Sequence, residues 1–163
     1  MQGEFNWASP LGVGVALFLV GAAVHLVIGV LTQVVIETPA GIQFLFLSGR
    51  TDAALYGTDT ARLLRDSPEL RQLRTTLLTV VGGLLVGFAI AELGLIWFGL
   101  RAGQAWALWV LVVSGLVLLP IWFLVLRPYF AAGPVGLGDL PPFMWIPAAT
   151  LLPAIASSAI GLR

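Results

Sequence analysis

The sequence predicts an all-α fold, a polytopic membrane protein with four transmembrane helices in an antiparallel bundle. Composition is the first observation: of 163 residues, 59% are hydrophobic and 10% charged, against about 25% charged in a soluble domain. The second is four apolar runs, 11–36, 75–100, 105–126 and 143–161, each close to or above the ~20 residues that a spanning helix consumes. The third is what remains: polar residues sit in loops between these runs, too few for a separate soluble domain, so residues 1–163 form a single four-helix membrane domain.

Charge and cysteine content remove several function classes. Eight Arg and no Lys balance eight acids at a net charge of zero, so no basic field recruits nucleic acid. Cys is absent, which excludes disulfides, thiolate metal sites, Cys nucleophiles and Cys-held iron–sulfur clusters.

The first helix is expected over 11–36. Ser9 can cap it, and Pro10 fits the first helical position, which needs no intrahelical N–H. The run is too long for a cleaved signal core and lacks a basic segment before it, so it reads as a retained helix.

Residues 37–67 are expected as an amphipathic, interfacial connector. Its segment 40–48 is apolar but far too short to span, and it reads as an interfacial or re-entrant piece. Asp66-Ser67-Pro68-Glu69 carries a helix start, with a capping side chain, a proline in the first turn and a glutamate against the N-terminal dipole. The second helix is therefore expected over 68–100.

Only Arg101-Ala102-Gly103-Gln104 separates this helix from the third, expected over 105–127, so the two form an antiparallel hairpin. Pro120 should kink the third helix, and Arg127-Pro128-Tyr129 should end it. Glycines and prolines across 131–142 break regular structure. The fourth helix, 143–161, contains Pro147 and Pro153. Arg counts in the short flanks, six on the side of 37–74 and 127–142 against two on the other, place both termini on the non-cytoplasmic side of the cytoplasmic (inner) membrane. Trp7, Trp97, Trp106 and Trp109 would mark one interface, and Trp122, Tyr129 and Trp145 the other.

Ionisable groups in hydrocarbon cost ~2.5–3.5 kcal/mol or more, which makes them the default functional candidates. Two qualify, His25 and Glu92, with Gln33 as a further polar side chain at depth. Gly21 and Gly29 flank His25 at four-residue spacing, so one face carries an imidazole in a flat groove. Such a groove admits a neighbouring helix backbone, with His25 hydrogen-bonding a neighbour. It also admits a planar ring ligated through a ring nitrogen, which makes His25, Gly21 and Gly29 the candidate cofactor-binding residues for a haem or chlorophyll-type tetrapyrrole. A haem would need a second ligand, such as Met144. The Gly-x-x-x-His spacing resembles the small-x-x-x-His pattern of bacterial light-harvesting helices and haem-b membrane subunits.

Glu92 has no cation near it when depth is counted along the helices. At 1.5 Å per residue, His25 and Glu92 differ by roughly 10 Å in height, and Arg101 projects from the opposite face. The expectation is a protonated Glu92 facing the bundle interior without a charged partner. Gly83, Gly87 and Ala91 form a small-residue stripe of the kind that lets helices approach closely, either within the chain or against another copy.

The hairpin segment Glu92 to Trp109, with its Arg101-x-Gly103-x-x-Trp106-Ala107 turn, resembles small bacterial four-helix integral membrane proteins of unknown function. The resemblance implies a fold and brings no catalytic residues. The function expected from the residues is a non-enzymatic accessory or interaction subunit of a membrane complex, embedded in the lipid bilayer and associating with other membrane subunits or with its own copies. The alternatives are a tetrapyrrole-binding subunit of an electron-transfer or light-harvesting complex with His25 as axial ligand, and a small transporter using Glu92. No metal site and no catalytic constellation is expected.

Overall fold

The computed structural model describes residues 5–43 and 45–163, and these form helices and turns. Four helices are long and apolar enough to cross a membrane. They are α1 (Pro10–Val35), α4 (Pro68–Gly94, continued as a π-helical turn over Leu95–Leu100), α5 (Ala105–Ala132) and α6 (Pro142–Gly161). Two short helices, α2 (Gly49–Tyr56) and α3 (Thr60–Asp66), lie in the connector between α1 and α4.

Local chemistry sets the helix starts. The Ser9 hydroxyl accepts from the Gly12 N–H at 3.1 Å ahead of Pro10, and the Ser67 hydroxyl accepts from Leu70 at 3.4 Å ahead of Pro68. In both, a side-chain oxygen takes one of the orphan donors of the first turn, and a proline occupies a position that has no intrahelical bond to lose.

The end expected for α5 at Arg127-Pro128-Tyr129 is not where the helix stops. It continues to Ala132, and Gly133 then closes it with an N–H donated to Tyr129 O at 3.2 Å. Pro128 forfeits one backbone bond, while Leu126 and Tyr129 are buried beside it and hold the last turn in place.

α1 is the hub. It packs along α6 on one side and α4 on the other, and α5 rests on α6 and on the Leu95–Leu100 turn. Between spanning helices the hydrophobic effect supplies no drive, because lipid is as apolar as leucine, so close approach through small residues does the work. Along α1 and α6 the contact pairs are Gly14 with Ser158 and Gly21 with Pro147. Along α1 and α4, a Cβ on Gly29 would come within 2.8 Å of Gly82 O, and one on Gly82 within 3.0 Å of Gly29 O. The Gln33 amide then donates to Thr79 O at 3.0 Å.

The stripe expected to pack, Gly83, Gly87 and Ala91, lies one residue round the helix from this crossing. A Cβ on Gly83 or Gly87 meets nothing within 4 Å, and all three residues lie outside the buried core. Helix one is therefore not the partner of that stripe. It packs on Gly82 instead.

Two apolar clusters sit at opposite ends of the molecule. One gathers Val15, Phe18, Ala22, Ile96, Leu100, Leu111 and Ala154 near the hairpin turn, and the other gathers Leu47, Leu126, Tyr129 and Met144 near the connector. The connector segment 40–48, whose residue 44 lies outside the described residues, makes a 3-10 turn over Gly41–Gln43 and buries Leu47 in the second cluster.

Charged groups staple the connector to the spanning helices. Asp52 is fully buried; one carboxylate oxygen accepts from Leu45 N–H at 2.5 Å and Phe46 N–H at 3.2 Å, and the other from the Tyr129 hydroxyl at 3.1 Å. Arg74 donates to Ile36 O at 3.3 Å and also to Gly41 O. Glu37 pairs with Arg71 and accepts from the Thr75 hydroxyl, and these hydrogen bonds, that of Thr75 foremost, hold its carboxyl below the ordinary value. Asp139 accepts from the Arg50 guanidinium, the Gly136 N–H at 2.8 Å and the Ser48 hydroxyl at 2.9 Å. Those donors pull its pKa from an ordinary 3.8 to about 2, Arg50 foremost.

Gly82→Leu forces the α1 and α4 backbones apart and costs about 1–3 kcal/mol, so it lowers the melting temperature in detergent, whereas Gly83→Leu, with nothing in its way, leaves it unchanged; equal melting of both variants would contradict the crossing. Asp139 binds its proton more weakly folded than unfolded, so its contribution is complete above the ordinary 3.8 and is lost as pH falls toward about 2. Hydrogen exchange in α2 should therefore stay slow down to that window and speed up through it, while Asp139→Asn should show the fast exchange already at neutral pH.

Candidate functional site

His25 and Glu92 meet. The imidazole Nδ1 lies 2.8 Å from Glu92 Oε2, with side chains only 6% and 15% exposed. The expectation that axial height keeps His25 out of reach of Glu92 is thus overturned, for a geometric reason. Every Cα–Cβ bond in a helix tilts toward that helix's N-terminus. On α1 this carries the imidazole toward residue 10, and on α4 it carries the carboxylate toward residue 68. The helices run in opposite directions at this crossing, so the two leans converge and close a gap that the axial rise alone leaves open.

The pair is fixed on both sides. Phe88, one turn before Glu92 on α4, sets its ring edge-on to the imidazole at 5.4 Å between centroids. Three residues after Glu92 the helix widens into a π-helical turn over Leu95–Leu100, where Arg101 N–H reaches back five residues to Ile96 O at 2.9 Å. π-helical turns of this kind insert one residue and rotate the helix beyond it, and they recur beside functional side chains. The rotation places Arg101 over the Trp97 ring at 4.3 Å and the Phe5 ring at 5.3 Å, with no contact to Glu92.

The groove expected around His25 is occupied by protein. Gly29 is covered by Gly82 and Val86 of α4, and Gly21 by Pro147 and Thr150 of α6. Between these contacts lies a cavity of about 50 Å³ lined by Gly21, His25, Glu92, Trp122, Phe143, Met144 and neighbouring apolar residues. A dry cavity of about 150 Å³ takes a single benzene ring, so the space beside His25 takes a small polar group and no tetrapyrrole. Met144 lines the same cavity, buried in the second apolar cluster. Among the described residues no group of three or more His, Asp or Glu side chains is arranged to hold a metal ion.

Phe143 is a shared wall. On its far side, toward the connector, lies a larger cleft of about 380 Å³ between α1, α4 and residues 138–143. Its lining is apolar except for Thr32 and Asp139.

Sequence reasoning singles out His25, Glu92 and Gln33 as polar groups at depth, and the structure joins the first two and uses the third to tie α1 to α4. It misses Asp52 and Tyr129. The Ser48-x-x-Thr51 capping pattern that starts α2 is the local signal that residues near 52 are held in place. No protein-family model, curated protein or solved structure matches the chain.

Replacing Glu92 discriminates among the roles open to the pair. Glu92→Gln keeps a side-chain partner for Nδ1 and melts close to the wild type. Glu92→Leu strands a buried imidazole nitrogen, at about 1–3 kcal/mol, and melts lower. Glu92→Lys sets a buried ammonium against the imidazole with no anion to compensate it, and fails to assemble. Equal thermal stability of the wild type and Glu92→Leu would show that the contact carries no energy.

Proposed function

We propose that the chain is a non-enzymatic, multi-pass subunit of the inner membrane that completes its helix bundle against another membrane subunit or a second copy of itself. The single observation that carries this reading is the open edge between α4 and α5. These helices are joined by a four-residue turn and meet at Gly99 and Ala107, yet below that end they make next to no contact. α1 has neighbours along two sides, whereas α4 and α5 stay largely uncovered.

In this reading the four helices form an antiparallel bundle with its termini on the non-cytoplasmic side, as the Arg distribution favours. The uncovered face of α4 includes Gly83, Gly87 and Ala91. Small residues at four-residue spacing let a second helix come close enough for van der Waals contact, the main source of helix association in lipid. They give the chain nothing internally, so their use lies outside it.

Native mass measurement in mild detergent tests the proposal. The expected result is an assembly heavier than one chain, reduced to the single chain by Gly87→Leu while the variant's melting temperature holds. A lone wild-type chain, with no copurifying subunit, would contradict it.

A further inference from the structure

The hairpin end of the molecule holds a cation that the described residues leave without an anion. Arg101 follows the π-helical turn Leu95–Leu100. That turn brings it round to Trp97, so its guanidinium lies over the Trp97 ring at 4.3 Å, with the Phe5 ring at 5.3 Å. Its Nε is buried and has no hydrogen-bond partner among the described residues, and no carboxylate among them pairs with it. We propose that Arg101, held against these rings, binds the phosphate of a phospholipid headgroup and prefers an anionic headgroup. This rests on the reading above that the four helices span a bilayer, and not on which partner covers α4 and α5.

Geometry selects the anion. An arginine stacked on an aromatic face keeps the edge of its planar fork free, and the parallel N–H groups of that edge match two oxygens of a phosphate. Among the described residues the Arg101 side chain donates no hydrogen bond, so this edge is unspent. The rings hold the plane in place before a ligand arrives, which lowers the ordering cost of binding.

Position selects the source. Trp97, Trp106 and Trp109 are exposed around the hairpin, and tryptophans on spanning helices gather at headgroup level. α5 starts at Ala105, just beyond Arg101, with no capping side chain and no acid in its first turn, so its positive end lies at the same level and adds to the attraction. Apart from Glu92, the acids of the described residues belong to the connector end of the bundle. The headgroup layer is then the source of the anion.

The test is native mass spectrometry of the full chain, delipidated in mild detergent and titrated with phosphatidylglycerol or phosphatidylcholine of the same acyl chains. The wild type is expected to bind the anionic lipid about fivefold more tightly, the ratio that ~1 kcal/mol per arginine at an anionic surface gives. Arg101→Gln should remove the preference. Trp97→Leu keeps the charge but takes away the plane that orients it, and should cut the preference to about twofold or less. Arg163→Gln, a charge at the same end without a ring beneath it, should leave it intact. Millimolar inorganic phosphate should not displace the lipid; full displacement would assign the site to a free oxyanion and overturn the lipid reading. Equal binding of the two lipids by the wild type, a preference kept in Arg101→Gln, or equal losses in Arg101→Gln and Arg163→Gln would each overturn the site. So would a preference that emerges only in Glu4→Gln, which would make the chain's own Glu4 the anion. If Arg101→Gln does not fold, Trp97→Leu decides, and a wild-type preference there overturns the site. Incorporation into phosphatidylcholine nanodiscs separates the two readings: a chain that incorporates without headgroup preference overturns this site alone, and one that fails to incorporate overturns the membrane reading and the site with it.

Discussion

The contact between His25 and Glu92 is the constraint around which the spanning helices are arranged. An ionisable side chain in hydrocarbon has no water to turn to, so either it is neutral and alone or it finds a partner in the chain. Here the partner is on the neighbouring helix, and reaching it fixes both the rotation and the height of α1 against α4. The glycine crossing at Gly29 and Gly82 arises from the same alignment: once the imidazole and carboxylate meet, the backbones beyond them are drawn together, and only glycine leaves room for them. Further down, the Gln33 bond to Thr79 O and the Glu37 pair with Arg71 continue the same register to the end of the helix.

Two apolar clusters sit above and below this polar level, and they differ in how they are closed. The upper cluster is closed by the hairpin turn and by α6 lying along α1. The lower one is closed by the connector, whose backbone would be hard to satisfy near lipid without the buried Asp52 taking two N–H groups and the Tyr129 hydroxyl. Carboxylates that accept several hydrogen bonds order loops in this way because charge-assisted bonds are roughly twice as strong as neutral ones. The Arg50 and Asp139 latch works the same way at the surface, holding residues 134–139 against the start of α2.

Much of the fold is legible in the sequence because hydropathy and capping are local. Ser9-Pro10 and Ser67-Pro68 mark helix starts through side chains that act within three residues, and the spanning runs are set by the thickness of a bilayer. What is not legible depends on a second segment. Pro128 reads as a stop until Leu126 and Tyr129 are seen buried among residues far away in the chain. A small-residue stripe is visible at Gly83 and Gly87, yet the crossing uses Gly82, because the partner helix and not the spacing decides which face packs. Glu92 looks isolated when height is measured along helix axes, since axial rise omits the lean of each side chain toward its own N-terminus. In an antiparallel pair those leans add, and this is where the candidate site arises.

The chain contains one histidine, so isotope labelling of that residue type gives spectra with a single imidazole to assign. Solid-state nitrogen NMR of the histidine-labelled protein in bilayers, compared between wild type and Glu92→Gln, tests the central contact most directly. The Nδ1 resonance is predicted to shift on substitution, because its partner changes from a carboxyl oxygen to an amide. An Nδ1 resonance that is indifferent to the replacement of Glu92 would contradict the contact.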